Sequence, residues 1–316
     1  MTEPLIDPRP GESVFLRRDA LAEGYDDRAI ARMVRTGAWH RIRRGAYVPA
    51  ELWRGADTMT QHELLAHAVH RQAQAEVALS HVSALWAYGA PDWGVDLSTV
   101  HLTRLDGRGG RREAGVCQHV GHLVPDDLVR FGTVLITSPT RTALDASTVL
   151  GTEAALVVMD HFLHRGLTTR ELLAERYASM TGWPFTLKTD LVLRLADGRS
   201  ESPGETRTRY LCWRQSLPKP ELQYPITDEF GRVVAVADCA WPGHGAFLEF
   251  DGRVKYERLL RPGESPSEVV VREKRREERI RELTGWRCIR LMWSDLEHPA
   301  RTAERIRRVL AAGSPL

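Results

Sequence analysis

Two apolar runs end in carboxylates, and that pairing restricts the architecture of this chain more than any other feature. Val233-Val234-Ala235-Val236-Ala237 runs into Asp238, and Ala246-Phe247-Leu248 runs into Glu249-Phe250-Asp251-Gly252. β-Branched and apolar residues fill both runs and turn residues bound them, so both read as strands. Side chains alternate along a strand, which sends Glu249 and Asp251 to one face. Neighbouring strands that each present carboxylates make a clustered negative site. Like charges held that close raise one another's pKa and resist packing unless a cation lies between them. A hard divalent ion held by carboxylate oxygens is the usual solution.

The surrounding segment, residues 198–316, is predicted as one domain. Ser202-Pro203-Gly204-Glu205 has the N-cap, first-turn proline and third-position acid of a helix start, with the helix running to about Gln215. Strands follow at 221–227, 232–238 and 246–251, then a charged helix over about 266–283, a strand over 286–292 and a helix over 299–310. The order α-β-β-β-α-β-α implies a mixed sheet flanked by helices.

At 316 residues the chain is too long for one small core, and several domains are expected. Hydrophobic residues at 42% and charged residues at 27% describe an ordinary globular protein. No apolar run approaches the ~20 residues of a membrane helix, and the start lacks a signal-peptide pattern, so the expected location is the cytoplasm. Cys117, Cys212, Cys239 and Cys288 have no C-x-x-C spacing, which fits reduced thiols and argues against a cysteine zinc site.

The net charge of +2 is unevenly spread. Arginines 28, 32, 35, 41, 43 and 44 crowd residues 28–50, which hold no acid. Residues 252–310 carry 16 lysines and arginines against 10 acids. Such local basic regions suggest contact with a polyanion, although solvated helix faces have the same look. The basic N-terminal stretch reads as a helix over 15–23, a second helix over 27–36 capped by Asp26 and stopped by Gly37, and a hairpin around Arg43-Arg44-Gly45. Helix, helix, basic hairpin is the outline of a winged helix-turn-helix over residues 1–56, with Arg32, Arg35, Arg41, Arg43 and Arg44 as its DNA contacts.

Residues 57–197 read as an α/β middle domain. Thr60-Gln61-His62-Glu63 resembles a capping box, and strands are expected at 100–103, 116–120 and 133–137. His62, His67 and His70 share the first helix without an evident further ligand, so they read as solvated or half-buried side chains. Ser80-His81 with Asp145 suggests a hydrolase triad, but no G-x-S-x-G elbow accompanies it. Trp39, Trp86, Trp93, Trp241 and Trp286 read as packing.

The last segment resembles the PD-(D/E)XK nuclease superfamily, in the branch of the very-short-patch-repair endonucleases. Asp238, the Glu249-Phe250-Asp251-Gly252 group, Arg272-Glu273-Lys274-Arg275-Arg276 and Gly285-Trp286-Arg287-Cys288-Ile289-Arg290 carry the likeness. The resemblance implies a restriction-endonuclease-like αβββαβα domain in which Asp238, Glu249 and Asp251 hold Mg²⁺ or Mn²⁺. Glu205 would be an outer carboxylate. The superfamily's lysine normally stands two residues after the glutamate; here Asp251 occupies that position, leaving Lys255 or Lys274 to replace it. The first two segments resemble AbiEi-like antitoxins and regulators, through Gly37-Ala38-Trp39-His40-Arg41-Ile42-Arg43-Arg44-Gly45-Ala46-Tyr47-Val48, Ala78-Leu79-Ser80-His81-Val82-Ser83-Ala84 and Thr137-Ser138-Pro139-Thr140-Arg141-Thr142-Ala143-Leu144-Asp145. That likeness implies DNA as a partner, and a cognate toxin or another defence-system protein as a second. Two functions follow as expectations: a metal-dependent DNA endonuclease, or a non-catalytic DNA-binding regulator with a degenerate nuclease fold.

Overall fold

The computed structural model describes residues 10–108, 110, 112–113, 115–180, 183, 186–252 and 278–313. The chain divides into two compact units, Met1–Arg194 and Leu195–Leu316. Mixed α/β architecture with three separate sheets holds throughout.

In the first unit, β1 (Phe15–Leu16), β2 (Trp39–Arg43) and β3 (Ala46–Pro49) form an antiparallel sheet in the order β1-β3-β2. Helices α1 (Arg17–Ala22) and α2 (Asp27–Arg35) lie between β1 and β2, and α3 (Ala50–Gly55) follows β3. The helix expected from residue 15 begins two residues later, because Phe15 and Leu16 pair with Tyr47 and Ala46 instead. Asp26 caps α2 by accepting a 2.7 Å hydrogen bond from Ala29 N–H. Gly37 and Gly45 supply the left-handed backbone that stops α2 and turns the hairpin, at φ 74° and 73°.

Helix α4 (Thr58–Gln72) removes the boundary expected near residue 56. Its Leu64 and Ala68 pack on Val14, Leu16, Ala46 and Val48 of the small sheet, while Ala66 and Val69 pack on the second sheet. Each fully buried aliphatic side chain contributes about 1.5–3 kcal/mol, so a helix with two apolar faces joins both sheets firmly. Asp57 caps it, taking a 2.8 Å bond from Thr60 N–H, rather than Thr60 itself.

The second sheet has six strands: β4 (Val77–Leu79), β5 (Val100–Arg104), β6 (Arg112–Glu113), β7 (Val116–His119), β8 (Leu128–Phe131) and β9 (Val134–Thr137), ordered β6-β7-β5-β4-β9-β8. The β4–β9 and β5–β7 pairs are parallel. A 3₁₀ helix, His81–Tyr88, follows β4, and α5 (Pro139–Val149), α6 (Thr152–His164), α7 (Arg170–Ala178) and α8 (Thr186–Leu195) complete the segment.

Of the histidines of α4, expected to be solvated or half-buried, two lie deeper than that. His62 and His67 are buried and His70 is half-buried. His62 bridges Leu97 O at 2.7 Å and Ser83 Oγ at 2.8 Å. Since a carbonyl only accepts, Nδ1 carries the proton and Nε2 accepts from Ser83. His67 has no hydrogen-bond partner on either ring nitrogen. A Cβ at position 11 would fall 2.3 Å from its Nε2, so glycine is required there. Burial first, then the positive charges of His70 and Arg71, hold the His67 pKa down to about 4. Its folded pKa lies below the unfolded value, so the unfolded chain binds the extra proton between about pH 6.5 and 4. The stability this neutral ring carries is full above that window and lost as pH falls through it, by about 3 kcal/mol. Replacing His67 with Leu is expected to flatten the fall in stability by about 2 kcal/mol of this between pH 7 and pH 4.5, read from urea unfolding at both.

The second unit holds α9 (Pro203–Arg214), the strands β10 (Glu221–Thr227), β11 (Val233–Trp241), β12 (Ala246–Phe250) and β13 (Arg287–Leu291), and the helices α10 (278–284), α11 (Trp293–Leu296) and α12 (Pro299–Ala312). The sheet order is β10-β11-β12-β13, antiparallel except for the parallel β12–β13 pair. Leu211 of α9 and Ile306 of α12 pack with Leu248 and Phe250 in one core, and Ile280 of α10 packs with Phe247 and Ala237 in another. At Gly204 a Cβ would lie 2.0 Å from the Phe250 ring, so α9 can approach β12 only through a glycine. Among the described residues no helix is long and apolar enough to cross a membrane.

Candidate functional site

Three groups of side chains have chemistry beyond packing. The first is basic. Arg28, Arg32 and Arg35 follow an i, i+4, i+7 spacing, which places them on one side of α2. All three are exposed, while Ile30 on the opposite side enters the core with Ala20 and Tyr47. Arg41 and Arg44 of the hairpin are also exposed. Among the described residues none of these guanidiniums pairs with an acid. Arg43 is half-buried, and burial lowers its pKa. Arg17 binds both carboxylate oxygens of Asp27 at 2.7 Å, and its N–H bonds Gly45 O at 2.9 Å, so one residue ties α1 to α2 and to the hairpin turn. Trp39 lies among Phe15, Tyr25 and Tyr47, with ring centres 4.6, 4.9 and 6.1 Å away, and is a packing residue.

The second group is acidic. Cys239, Ala240 and Trp241 of β11 pair with Leu248, Phe247 and Ala246 of β12, and Asp238 and Glu249 are the residues that adjoin the last of these pairs on each strand. Both carboxylates are buried. Asp238 Oδ2 accepts a 2.8 Å hydrogen bond from Phe250 N–H. Asp251 stands just past the end of β12, where its N–H bonds Leu291 O at 2.8 Å. Glu205 is buried in the first turn of α9. It accepts from Glu201 N–H at 2.9 Å, Ser202 Oγ at 2.6 Å and Gln223 Nε2 at 3.0 Å, so it closes the helix start as well as facing inward. The Cys239 thiol is pushed well above its usual range by burial first, then by Cys212, Asp238 and Glu205. Lys255, Lys274 and the basic run at 272–276 lie outside the described residues.

The third group escapes any reading of the sequence alone. His81 stands at the start of the 3₁₀ helix, His101 on β5 and His119 on β7. A ring nitrogen of each lies within 4.8 Å of the other two, and among the described residues this is the set of three potential ligands that meets so closely. His101 Nδ1 is 2.8 Å from His119 Nε2, and His81 stacks on His119 with centres 3.7 Å apart. Burial is the first cause that lowers all three, to about 4 for His101 and His119. Ser80, His81 and Asp145 do come together, yet not as a triad. Ser80 Oγ at 2.9 Å and Asp145 Oδ2 at 3.9 Å both approach His81 Nδ1, whereas a relay needs them on opposite ring nitrogens. Ser80 is also fully buried.

Beneath the histidines runs an ion network. Arg141, 1% exposed, donates to Asp145 Oδ1 at 2.8 Å and to Asp127 Oδ2 and His122 O at 3.0 Å. It also covers the Trp183 ring at 4.4 Å. Arg176 binds Asp127 from the other side at 2.6 and 2.7 Å. Burial pushes Asp145 up to about 6 against the opposing charge of Arg141. Burial also acts to raise Asp127, but the hydrogen bonds from Arg176 and Val124 N–H outweigh it and hold that carboxyl below its usual value.

Residues 11–50, which span α1, α2 and the three-stranded sheet, match the family profile described as "Transcriptional regulator, AbiEi antitoxin". Two relatives from strains of Mycobacterium tuberculosis, "Uncharacterized protein MT2308" and "Uncharacterized protein Rv2248", are each 30% identical over 273 residues, covering 85% of this chain and 94% of the relative. Similarity over that share of both lengths means that this chain belongs to one family with these mycobacterial proteins.

Proposed function

We propose that the chain is a DNA-binding regulatory protein that grips duplex DNA with residues 11–50. In this reading the segment acts as a winged helix-turn-helix: α2 enters the major groove and the β2–β3 hairpin lies against phosphate. The observation that carries it is the unpaired arginine face, Arg28, Arg32 and Arg35 on α2 with Arg41 and Arg44 on the hairpin. Guanidiniums left unpaired on one side of a rigid element are poised for phosphate and base edges. The match of these same residues to a family of transcriptional regulators and antitoxins points the same way and brings in a cognate toxin as a second partner. Titrating the full chain into a pool of fluorescent random duplexes over a salt series tests the reading. Binding that weakens steeply with salt supports it, and no binding to any duplex at low salt refutes it.

The buried carboxylates of Asp238 on β11 and Glu249 on the neighbouring β12 favour a second activity for the C-terminal unit, phosphodiester cleavage. These two buried carboxylates together with Asp251 are the hard oxygen donors that Mg²⁺ or Mn²⁺ takes, with Glu205 as an outer carboxylate. A metal bound there would supply a water of lowered pKa and neutralise charge on the phosphate. Lys255 or Lys274 would provide the ammonium near that water. Asp238→Asn keeps an acceptor for Phe250 N–H and removes the charge. It is expected to abolish Mg²⁺-dependent nicking of plasmid while leaving duplex affinity within about twofold, since the arginine face supplies the phosphate contacts. Nicking that persists in the variant, or in EDTA, removes this site from the reaction.

A further inference from the structure

We propose that His81, His101 and His119 form a binding site for one divalent transition-metal ion of the zinc class, with Asp145 as the carboxylate that orients His81. The three imidazoles come from three separate elements, yet their ring nitrogens converge within 4.8 Å. Tetrahedral zinc holds each imidazole nitrogen at about 2.0–2.1 Å, so small ring rotations bring three such nitrogens into one coordination sphere. A donor set of three imidazoles suits zinc, cobalt, nickel or copper and not magnesium.

Three further features favour an ion over a merely packed cluster. Asp145 is fully buried, and its Oδ2 has no hydrogen-bond partner. Ser80 Oγ holds His81 Nδ1 at 2.9 Å, with that carboxylate oxygen behind it at 3.9 Å, so the two orient the ring and leave Nε2 for the ion. His81 is buried while His101 and His119 are half-buried, so the cluster has a closed floor and an open side for entry. Arg141, whose charge reaches His81, does not repel a cation outright, because Asp127 and Asp145 already bind it. The backbone also points to a demanding position: among the described residues His81 is one of three non-glycine residues in the left-handed region, at φ 53°.

The test uses the full chain, stripped with EDTA, then dialysed against zinc and assayed for bound metal by mass spectrometry. The wild type is expected to retain one equivalent of zinc and to give the visible d–d bands of tetrahedral cobalt when Co²⁺ replaces it. His101→Gln and His119→Gln should each lose retention, and Asp145→Asn should weaken binding about tenfold. No retention by the wild type, or unchanged retention in both histidine variants, overturns the site. Should a variant fail to fold, as circular dichroism would reveal, the melting temperature of the wild type decides. A rise with zinc but not with magnesium supports the site, and no rise with zinc overturns it. A zinc result leaves the DNA-binding and Mg²⁺ readings untouched, since neither uses these histidines.

Discussion

Replacing Arg141 with Leu is expected to lower the stability of the first unit by about 3–5 kcal/mol, the largest loss of any single substitution considered. The guanidinium is 1% exposed and serves two buried carboxylates and a carbonyl. Asp127 keeps Arg176 when Arg141 is removed, but Asp145 keeps no guanidinium in hydrogen-bond reach among the described residues. A fully buried carboxylate without a partner must either pay desolvation or take up a proton. Its pKa already stands at about 6 with Arg141 present, so losing the arginine drives it higher and the proton is bound at pH 7. The double variant Arg141→Leu with Asp145→Leu should recover part of the loss, because an apolar pair leaves no uncompensated charge. Urea unfolding of the two variants, with hydrogen exchange over residues 139–149 as a local readout, checks both statements. A single variant that loses under about 1 kcal/mol would mean that water or rearrangement solvates Asp145.

The second large effect concerns DNA. Replacing Arg28, Arg32 and Arg35 with Ala together is expected to flatten the dependence of log affinity on log salt by about three units, if each guanidinium neutralises one phosphate. The change should cost little stability, since all three are exposed and Ala is the best helix former. Asp26 still caps α2, and Ile30 still holds it to the core. Anisotropy titrations at several salt concentrations measure the slope, and circular dichroism checks the helix. An unchanged slope would take α2 out of the interface and leave the hairpin as the contact. Arg43, half-buried, is expected to contribute less to the slope than Arg44.

Much of the secondary structure was legible because its causes are local. Asp26 before α2 and Ser202-Pro203 before α9 announce helix starts through cap chemistry that acts within one turn. The spacing of 28, 32 and 35 assigns one helix face wherever the helix sits. The runs that hold Asp238 and Glu249 are strands, and they pair antiparallel across the short connection between them. Short strands were harder to see: β6 and β8 have neither a long apolar run nor clear alternation, and they exist because β7 and β9 offer edges to pair with. Phe15 and Leu16 look helical by composition, but the open edge of β3 claims them.

What the sequence by itself determined was therefore the set of elements, their caps and the basic face of α2, all governed by forces that act over a turn or a hairpin. Only the tertiary structure decided that α4 joins two sheets, that Arg141 lies at the centre of four charged side chains, and that three histidines on different elements meet. The physical reason is the parallel β5–β7 pairing and the packing of the 3₁₀ helix on that sheet, which fix neighbours far apart in the chain. Which histidine meets which depends on strand order and register, and those are set by how the whole core buries its apolar surface.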